Sequence, residues 1–208
     1  MQVYKRNGAK VLFVADKINA RINKFTYGLD ASRLDIDAVV KQTLKLVKDN
    51  MRTQDIDEVV CEILEKEARE KHCSDYGVLY VRLKMSNLHK QTKKRFFDVI
   101  EQIRQAENKR ADDEKTINDE DYLFIEKNQS MLDSAVISHR DYEYTMDQVE
   151  TLEPQLYRID GQIIERPSHF AMRRAIECYD NLDQVIEQYD RLTKSYKARS
   201  NEEVEAYH

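Results

Sequence analysis

The sequence predicts a mainly α-helical protein that carries two short β-hairpins. Apolar residues recur at helical spacing through most of the 208-residue chain, and only four Gly and two Pro interrupt this pattern. Charged residues make up 35% of the chain and hydrophobic residues 41%, which is typical of helices with solvated outer faces and argues against disorder. The dipeptides Asn7-Gly8 and Asp160-Gly161 lie between β-prone runs and predict the hairpins.

The first hairpin lies at the start of the chain. Asn7-Gly8 indicates a type I′ turn, in which both central residues need a positive φ, and such a turn would place Lys5 and Arg6 on a strand beside Lys10. Residues 1–30 contain six basic and two acidic side chains, a local charge of +4 in a chain of net charge −5. This local excess of positive charge indicates an anionic ligand near the hairpin.

Four helices are predicted after the first hairpin. Asp16 is predicted to cap the first helix and Gly28 to end it. The second helix begins near Asp35 or Asp37, where an apolar stripe starts.

Thr53 is predicted to cap the third helix, with Asp55 and Asp57 in a first turn whose amides favour carboxylates. The fourth helix follows Asp75 and ends in a basic stretch at residues 86–94. This stretch could complement the carboxyl end of the helix or bind an external phosphate, and the sequence leaves both open.

A charged stretch at residues 105–115 predicts a domain boundary. Asn118 then caps a further helix, and the apolar residues 135–137 form either a helix end or a strand. Asp160-Gly161 marks the second hairpin, and Pro167 the start of the next helix.

A last amphipathic helix is predicted over residues 182–196, followed by a polar, frayed tail at 198–208.

Composition also excludes several classes of function. The three cysteines form no CxxC or Cys/His pattern, which favours reduced thiols and argues against a zinc site. No apolar run reaches the ~20 residues that a membrane span needs, and no signal peptide is evident, so we expect a soluble cytoplasmic protein without a membrane partner. The acidic balance argues against general nucleic-acid binding.

A series of short motifs, taken in order, resembles the ATP-cone of class I ribonucleotide reductase large subunits. The motifs in the first 95 residues are Lys5-Arg6-Asn7-Gly8, Asp16-Lys17-Ile18, Thr53 with Asp57, and Ser86-Asn87-Leu88-His89-Lys90 with Thr92-Lys93-Lys94. Later motifs similar to the family are Leu132-Asp133-Ser134-Ala135-Val136-Ile137, Arg140-Asp141-Tyr142, Thr151-Leu152-Glu153, Asp160-Gly161, Glu165-Arg166-Pro167 and Met172-Arg173. The resemblance covers about residues 2–195, and the order of the motifs carries it.

This resemblance implies a β-hairpin lid on a four-helix ATP-cone at residues 1–95 and a helix with a charged linker at 96–117. It implies a helical reductase region with the second hairpin at 118–208. The family's catalytic barrel, with its radical and redox cysteines, lies beyond the matched region. We therefore expect the chain to be truncated before the catalytic residues and not to reduce ribonucleotides by itself.

The family's cone is the overall activity site, where ATP activates the reductase and dATP inhibits it by changing the oligomeric state. The resemblance thus implies an allosteric region for deoxyribonucleotide synthesis that binds ATP or dATP, with Mg²⁺. Its partners would be the purine nucleotide and either further copies of the chain or reductase subunits. The nucleotide-binding positions that it implies are, for the phosphates, Lys5, Arg6, Lys17 and Lys90, and, for the nucleoside and its polar contacts, Val11, Asp16, Ile18, Thr53 and Asp57.

One departure from the family lies directly after the turn. Many members carry an acidic and then a basic residue where this chain has Val11 and Leu12, which would weaken nucleotide affinity or discrimination. An alternative function is therefore a helical protein-interaction module that has lost nucleotide binding. Nucleic-acid binding through residues 1–24 and 89–95 is a third and weaker hypothesis. A truncated reductase and a separately encoded regulator both fit the sequence.

Overall fold

The computed structural model describes residues 1–109 and 115–205, with the backbone alone for residues 195–205. The chain divides into two compact units, Met1–Asn87 and Leu88–His208. Helices dominate both units and the strands are short, so the mainly α fold class predicted from the sequence is confirmed.

The first unit combines a small sheet with helices. Its strands β1 (Gln2–Tyr4), β2 (Lys10–Leu12) and β3 (Met51–Arg52) have the order β2-β1-β3, with β1 antiparallel to β2 and parallel to β3. Its helices are α1 (Asp16–Asn23), α2 (Ile36–Leu46), α3 (Thr53–Lys71) and α4 (Ser74–Gln91), and the last turn of α4 belongs to the second unit. A short 3₁₀ helix at Ala31–Arg33 precedes α2.

The buried faces of these helices follow the apolar spacing of the sequence. Ile18 and Ile22 of α1 lie one helical turn apart and are both buried. On α3 the buried apolar residues are Ile56, Val60, Cys61, Ile63, Leu64 and Ala68. Val3 in the central strand is 3% exposed, so the sheet packs its middle strand into this core.

The second unit contains α5 (Phe96–Glu107), α6 (Asp119–Ala135), α7 (Met146–Leu152), α8 (Pro167–Ile176) and α9 (Leu182–Glu205). Strands β4 (Arg158–Ile159) and β5 (Gln162–Ile163) form an antiparallel hairpin before α8. Side chains from α5, α6, α8 and α9 share one apolar core, which includes Phe96, Ile100, Ile125, Met172 and Tyr189.

Five local predictions are confirmed. Asp35 caps α2 by accepting a 2.9 Å hydrogen bond from the amide of Ala38. Asn118 caps α6, and Pro167 occupies the first turn of α8. Asp160 and Gly161 have φ values of 48° and 78°, as a type I′ turn requires. Residues 136 and 137 follow the end of α6, so the helix-end alternative for residues 135–137 holds.

The first hairpin has a different turn from the predicted one. Gly8 has φ +81°, but Asn7 is not among the described residues with positive φ. The Gly8 amide donates to the Lys5 carbonyl at 2.9 Å, and the Lys5 amide donates to the Ala9 carbonyl at 2.9 Å. The loop therefore spans three residues with Gly8 in the left-handed region, and the predicted type I′ turn is wrong. Since β1 ends at Tyr4, which pairs with Lys10, Lys5 and Arg6 lie in the turn and not on the strand.

The predicted caps of α1 and α3 are also wrong. Asp16 and Thr53 are the first residues of their helices, and neither acts as a side-chain cap. Arg52 takes the cap position of α3 in the extended conformation because it is still paired in β3, and the backbone is already helical at Ala15 before α1. Helix α1 ends at Asn23, and Gly28, with φ +72°, lies in a later turn.

The last helix is longer than predicted. Helix α9 continues to Glu205 through the segment expected to fray, and residues 206–208 of that tail lie outside the described residues. Residues 110–114 of the predicted charged linker also lie outside them. The division of the chain at residues 95 and 117 stays a prediction about its functional parts.

Candidate functional site

The parallel pairing of β1 and β3 brings the hairpin turn beside the start of α3. Tyr4 lies opposite Arg52 in this pair. Lys5 and Thr53 are the next residues, and because paired parallel strands run in the same direction, both segments leave the sheet at the same edge. Helix α3 has 19 residues, and its first amides and its dipole favour negative charge. A basic turn and a helix N-terminus therefore meet at this edge.

Four polar side chains of the first unit, Arg6, Arg21, Asp57 and Asn87, form a connected group that we call the arginine cluster. Arg21 Nε lies 2.7 Å from Asp57 Oδ1, and Arg6 Nη2 lies 3.5 Å from Asp57 Oδ2. Arg6 Nη1 also donates to the backbone carbonyl of Asn87 at 3.4 Å, and Arg21 Nη2 donates to the Asn87 side-chain oxygen. Two cations thus share one carboxylate, which leaves the cluster with a net positive charge.

The Asn87 side chain is held in place by a hydrogen bond to the buried Cys61. Its side-chain nitrogen donates to Cys61 Sγ at 3.6 Å, and the two residues are 7% and 8% exposed. Burial, with a smaller contribution from the negative charge of Asp57, raises the pKa of the Cys61 thiol to about 12. Cys61 is therefore a neutral packing group at physiological pH and not a nucleophile.

Of the predicted site residues, Arg6 and Asp57 are in direct contact. Thr53 is half-buried on α3, one helical turn before Asp57 and therefore on the same face of that helix. Lys5 is exposed in the turn next to Arg6. The start of α3 thus lies beside the basic turn.

The other predicted residues lie around this centre. Asp16 and Lys17 are exposed in the first turn of α1. Val11 pairs with Val3 in the sheet and is half-buried, while Ile18 is 7% exposed in the core of the unit. Lys90 is exposed in the last turn of α4, in the second unit, and its place in the site stays a prediction.

Sequence reasoning missed Arg21 and Asn87 as site residues. Arg21 entered only the local charge count, although it follows the buried Ile18 by three positions and so lies near the same face of α1. Asn87 lies within the family motif at residues 86–90 but was assigned no role. Neither contact could be derived from spacing along the chain, because each joins residues more than 30 positions apart.

A separate polar cavity of about 450 Å³ lies elsewhere in the first unit. It is lined by residues of α1, the 3₁₀ helix, the start of α2 and the ends of α3 and α4 that face them, including Asn19, Arg33, Asp35, Lys71 and Tyr76. Some of its polar groups contact each other: the Tyr76 hydroxyl accepts from the Asp35 amide at 2.8 Å and from Lys71 Nζ at 3.4 Å. The cavity includes none of the predicted site residues.

The second unit holds a Ser-Asp-His group that resembles a catalytic triad in composition only. His89 Nε2 lies 2.7 Å from Asp141 Oδ2, and the Ser168 hydroxyl donates to the same oxygen at 3.0 Å. A nucleophilic serine must donate to the histidine, so this arrangement gives Ser168 no general base. His89 and Ser168 instead provide hydrogen-bond partners for one oxygen of the Asp141 carboxylate, which is fully buried.

Membrane spans and metal clusters are both absent from residues 1–109 and 115–205. None of their helices has both the length and the apolar character needed to cross a membrane. They also contain no group of three or more His, Cys, Asp or Glu side chains placed to hold a metal ion.

Comparisons with known proteins find similarity along most of the chain. Residues 1–91 match a family model described as the ATP cone domain. The chain is 35% identical to the ribonucleoside-diphosphate reductase large chain of Schizosaccharomyces pombe over 199 residues, which are 94% of this chain and 24% of that protein. It is 34% identical to the large subunit of Arabidopsis thaliana and 33% identical to that of monkeypox virus, over 94% of this chain in each case and 24% and 26% of those proteins. The chain spans about a quarter of the length of the curated relatives it matches.

Proposed function

We propose that this chain, which carries an ATP cone domain at residues 1–91 and is similar to ribonucleoside-diphosphate reductase large subunits along most of its length, is a regulatory nucleotide-binding region. Its ligand is ATP or dATP, bound mainly by residues of the first unit. The observation that carries the proposal is the meeting of the basic turn and the start of α3 at one edge of the sheet.

The charge of the turn supports phosphate binding. Lys5 and Lys17 are exposed and present point charges, and Arg6 can grip a phosphate with two parallel hydrogen bonds. The contacts of Arg6 to Asp57 and Asn87, at 3.5 and 3.4 Å, are long compared with the ~2.9 Å of a good N–H···O bond. A phosphate group can therefore compete for Arg6 at low cost.

The remaining residues suit the nucleoside end of the ligand. The half-buried Val11 supplies apolar surface, with Ile18 packed in the core of the unit, and Asp16, Thr53 and Asp57 supply polar groups. We assign Lys90 to the phosphates as an expectation that rests on the family resemblance. Because the described residues contain no three-ligand metal cluster, we propose that Mg²⁺ binds mainly through phosphate oxygens and water.

We further propose that nucleotide binding regulates ribonucleoside-diphosphate reductase and hence deoxyribonucleotide synthesis in the cytoplasm. The partners are either further copies of this chain or reductase subunits. We expect no reduction of ribonucleoside diphosphates by this chain alone.

Calorimetric titration of ATP and dATP into the 208-residue chain tests the proposal. We expect binding to the unsubstituted protein and a loss of at least about tenfold in affinity for Lys5→Ala with Arg6→Ala, because two charge-assisted phosphate contacts are removed. Lys66→Ala with Arg69→Ala is the matched control, since it removes two exposed charges from α3 in the same unit. A folded protein that gives neither binding heat nor a rise in unfolding temperature at millimolar nucleotide would contradict the proposal.

One observation favours the alternative of an interaction module. Leu12, Val14 and Met1 are 70%, 42% and 52% exposed around the hairpin, which is unusual for large apolar side chains. Association with a reductase subunit that is unchanged by nucleotide and by the Lys5→Ala, Arg6→Ala pair would support this alternative and count against the nucleotide-binding function.

A further inference from the structure

We propose that Arg21 is a positioning residue of the nucleotide site, which keeps Asp57 compensated and so leaves Arg6 available to the phosphates. This inference rests on the proposed function. It assigns Arg21 to the site through Asp57 and Asn87 and not through contact with the ligand.

The first support is the geometry of Arg21. The planar guanidinium carries donors in fixed directions, so it can serve two partners at once. Arg21 joins α1 to α4 and α3: Nη2 donates to the Asn87 side chain, and Nε lies 2.7 Å from Asp57 Oδ1 in an ion pair that is not aligned as a hydrogen bond. The buried neighbours Ile18 and Ile22 hold this part of α1 in the core. The position of Arg21 is therefore fixed by the packing of α1 as well as by Asp57 and Asn87.

The second support is the contrast between the two arginines. Arg6 lies in a turn and makes only long contacts with the cluster. Arg21 lies in a helix and makes short ones. A ligand phosphate would therefore draw Arg6 away from Asp57 much more easily than Arg21.

The third support is the charge of the cluster. Asp57 is only 15% exposed, so an uncompensated carboxylate there would be costly. If Arg21 were absent, Arg6 would be the remaining arginine beside Asp57, and Arg6 and Asp57 together would have no net charge. With Arg21 present, the group of Arg6, Arg21 and Asp57 has a net charge of +1, and Asp57 keeps a cationic partner when Arg6 turns to a phosphate.

The fourth support is the orientation of Asn87. Arginine can only donate hydrogen bonds, so the Asn87 side-chain oxygen must face Arg21. The amide nitrogen then faces the Cys61 sulfur, which accepts at 3.6 Å. Arg21 thus fixes the residue whose backbone carbonyl receives Arg6.

The test compares calorimetric affinities for ATP and dATP in the full chain and its variants. We expect Arg21→Gln to weaken binding at least about tenfold, because Arg6 is then held by Asp57. Arg21→Lys should show an intermediate loss, since lysine keeps the charge but cannot serve Asp57 and Asn87 together. Arg33→Gln is the matched control: it removes a half-exposed arginine that pairs with an aspartate, Asp75, of the same 15% exposure as Asp57, and it should leave affinity within about twofold.

A double-mutant cycle with Asp57→Asn separates positioning from direct contact. If Arg21 acts through Asp57, Arg21→Gln should cost less than about twofold in a protein that already carries Asp57→Asn. An equal loss in both backgrounds, or no loss on Arg21→Gln in a protein that binds nucleotide, would overturn the inference. If circular dichroism shows that Arg21→Gln does not fold, the cycle is measured with Arg21→Lys. The loss of nucleotide affinity caused by Arg21→Lys must likewise disappear in a protein that carries Asp57→Asn. Absence of binding by the unsubstituted protein would instead contradict the proposed function itself.

Discussion

At the scale of single residues, the charged side chains differ in their exposure to solvent. Lys5 of the hairpin turn is exposed, whereas the side chains of Arg6, Arg21 and Asp57 are 25%, 22% and 15% exposed, and Arg21 and Asp57 form an ion pair. The Arg21–Asp57 pair is exposed enough to act electrostatically on a ligand. It is also buried enough for the interaction between the two charges to be stronger than in bulk water. In the second unit, burial also shifts the pKa values of ionisable groups.

His169 is the clearest example of this effect of burial. It is fully buried on α8, and burial together with the positive charge of Arg166 lowers its pKa to about 3. The unfolded chain protonates this histidine near its ordinary pKa of about 6.5, so the unfolded state binds more protons between those two values. The contribution of His169 to stability is therefore full above pH 6.5 and is lost as the pH falls.

We predict that His169→Leu makes the free energy of unfolding less dependent on pH. Between pH 6 and pH 5 the slope should fall by about 1.4 kcal/mol per pH unit, as measured by urea denaturation. The control His139→Leu removes a largely exposed imidazole and should leave the slope unchanged. Identical slopes for His169→Leu and the parent would show that His169 is protonated similarly in both states.

At the scale of elements, the turn of the first hairpin decides where Lys5 and Arg6 lie. Gly8 and Gly161 have nearly equal φ values of +81° and +78°, and a Cβ built on either meets no atom within 4 Å. An alanine at either position is therefore strained by its backbone and not by a clash.

We predict that Gly8→Ala and Gly161→Ala each lower the free energy of unfolding by about 1 kcal/mol. Gly8→Ala should also weaken ATP affinity, because it disturbs the turn that carries Arg6, whereas Gly161→Ala should not. The comparison of unfolding curves and titrations for the two variants checks this. Equal ATP affinities for the two variants would show that the turn is not part of the nucleotide site.

Elements with strong periodicity or a capping side chain could be predicted from the sequence, as Asp35, Asn118 and Pro167 demonstrate. Strand β3 could not, because two residues are too few to show an alternating pattern. Its pairing with β1 is a contact between residues distant in sequence, yet it determines that α3 begins at Thr53 and that this start lies beside the turn. The short helix α7, with its Thr145–Gln148 capping box, was also missed.

At the scale of the whole molecule, the two units differ in how directly sequence predicts their role. In the first unit the motif series identified Arg6 and Asp57, which prove to be in contact, but could not supply Arg21 and Asn87, because side-chain contacts across elements depend on packing. In the second unit the buried Arg173–Glu165 pair, whose side chains are joined by two hydrogen bonds of 2.9 and 3.1 Å, was not predicted from the sequence to bind nucleotide. We therefore assign nucleotide recognition to the first unit.

The most direct test of nucleotide recognition is an NMR titration of ¹⁵N-labelled protein with ATP and with dATP. We predict saturable shifts of the backbone amides at residues 5–9 and 53–57, with the amides of the β4–β5 hairpin serving as an internal reference that does not move. Shifts centred on the cavity lined by Asp35 and Tyr76, or no shifts at millimolar nucleotide, would contradict the site at the basic turn and the start of α3.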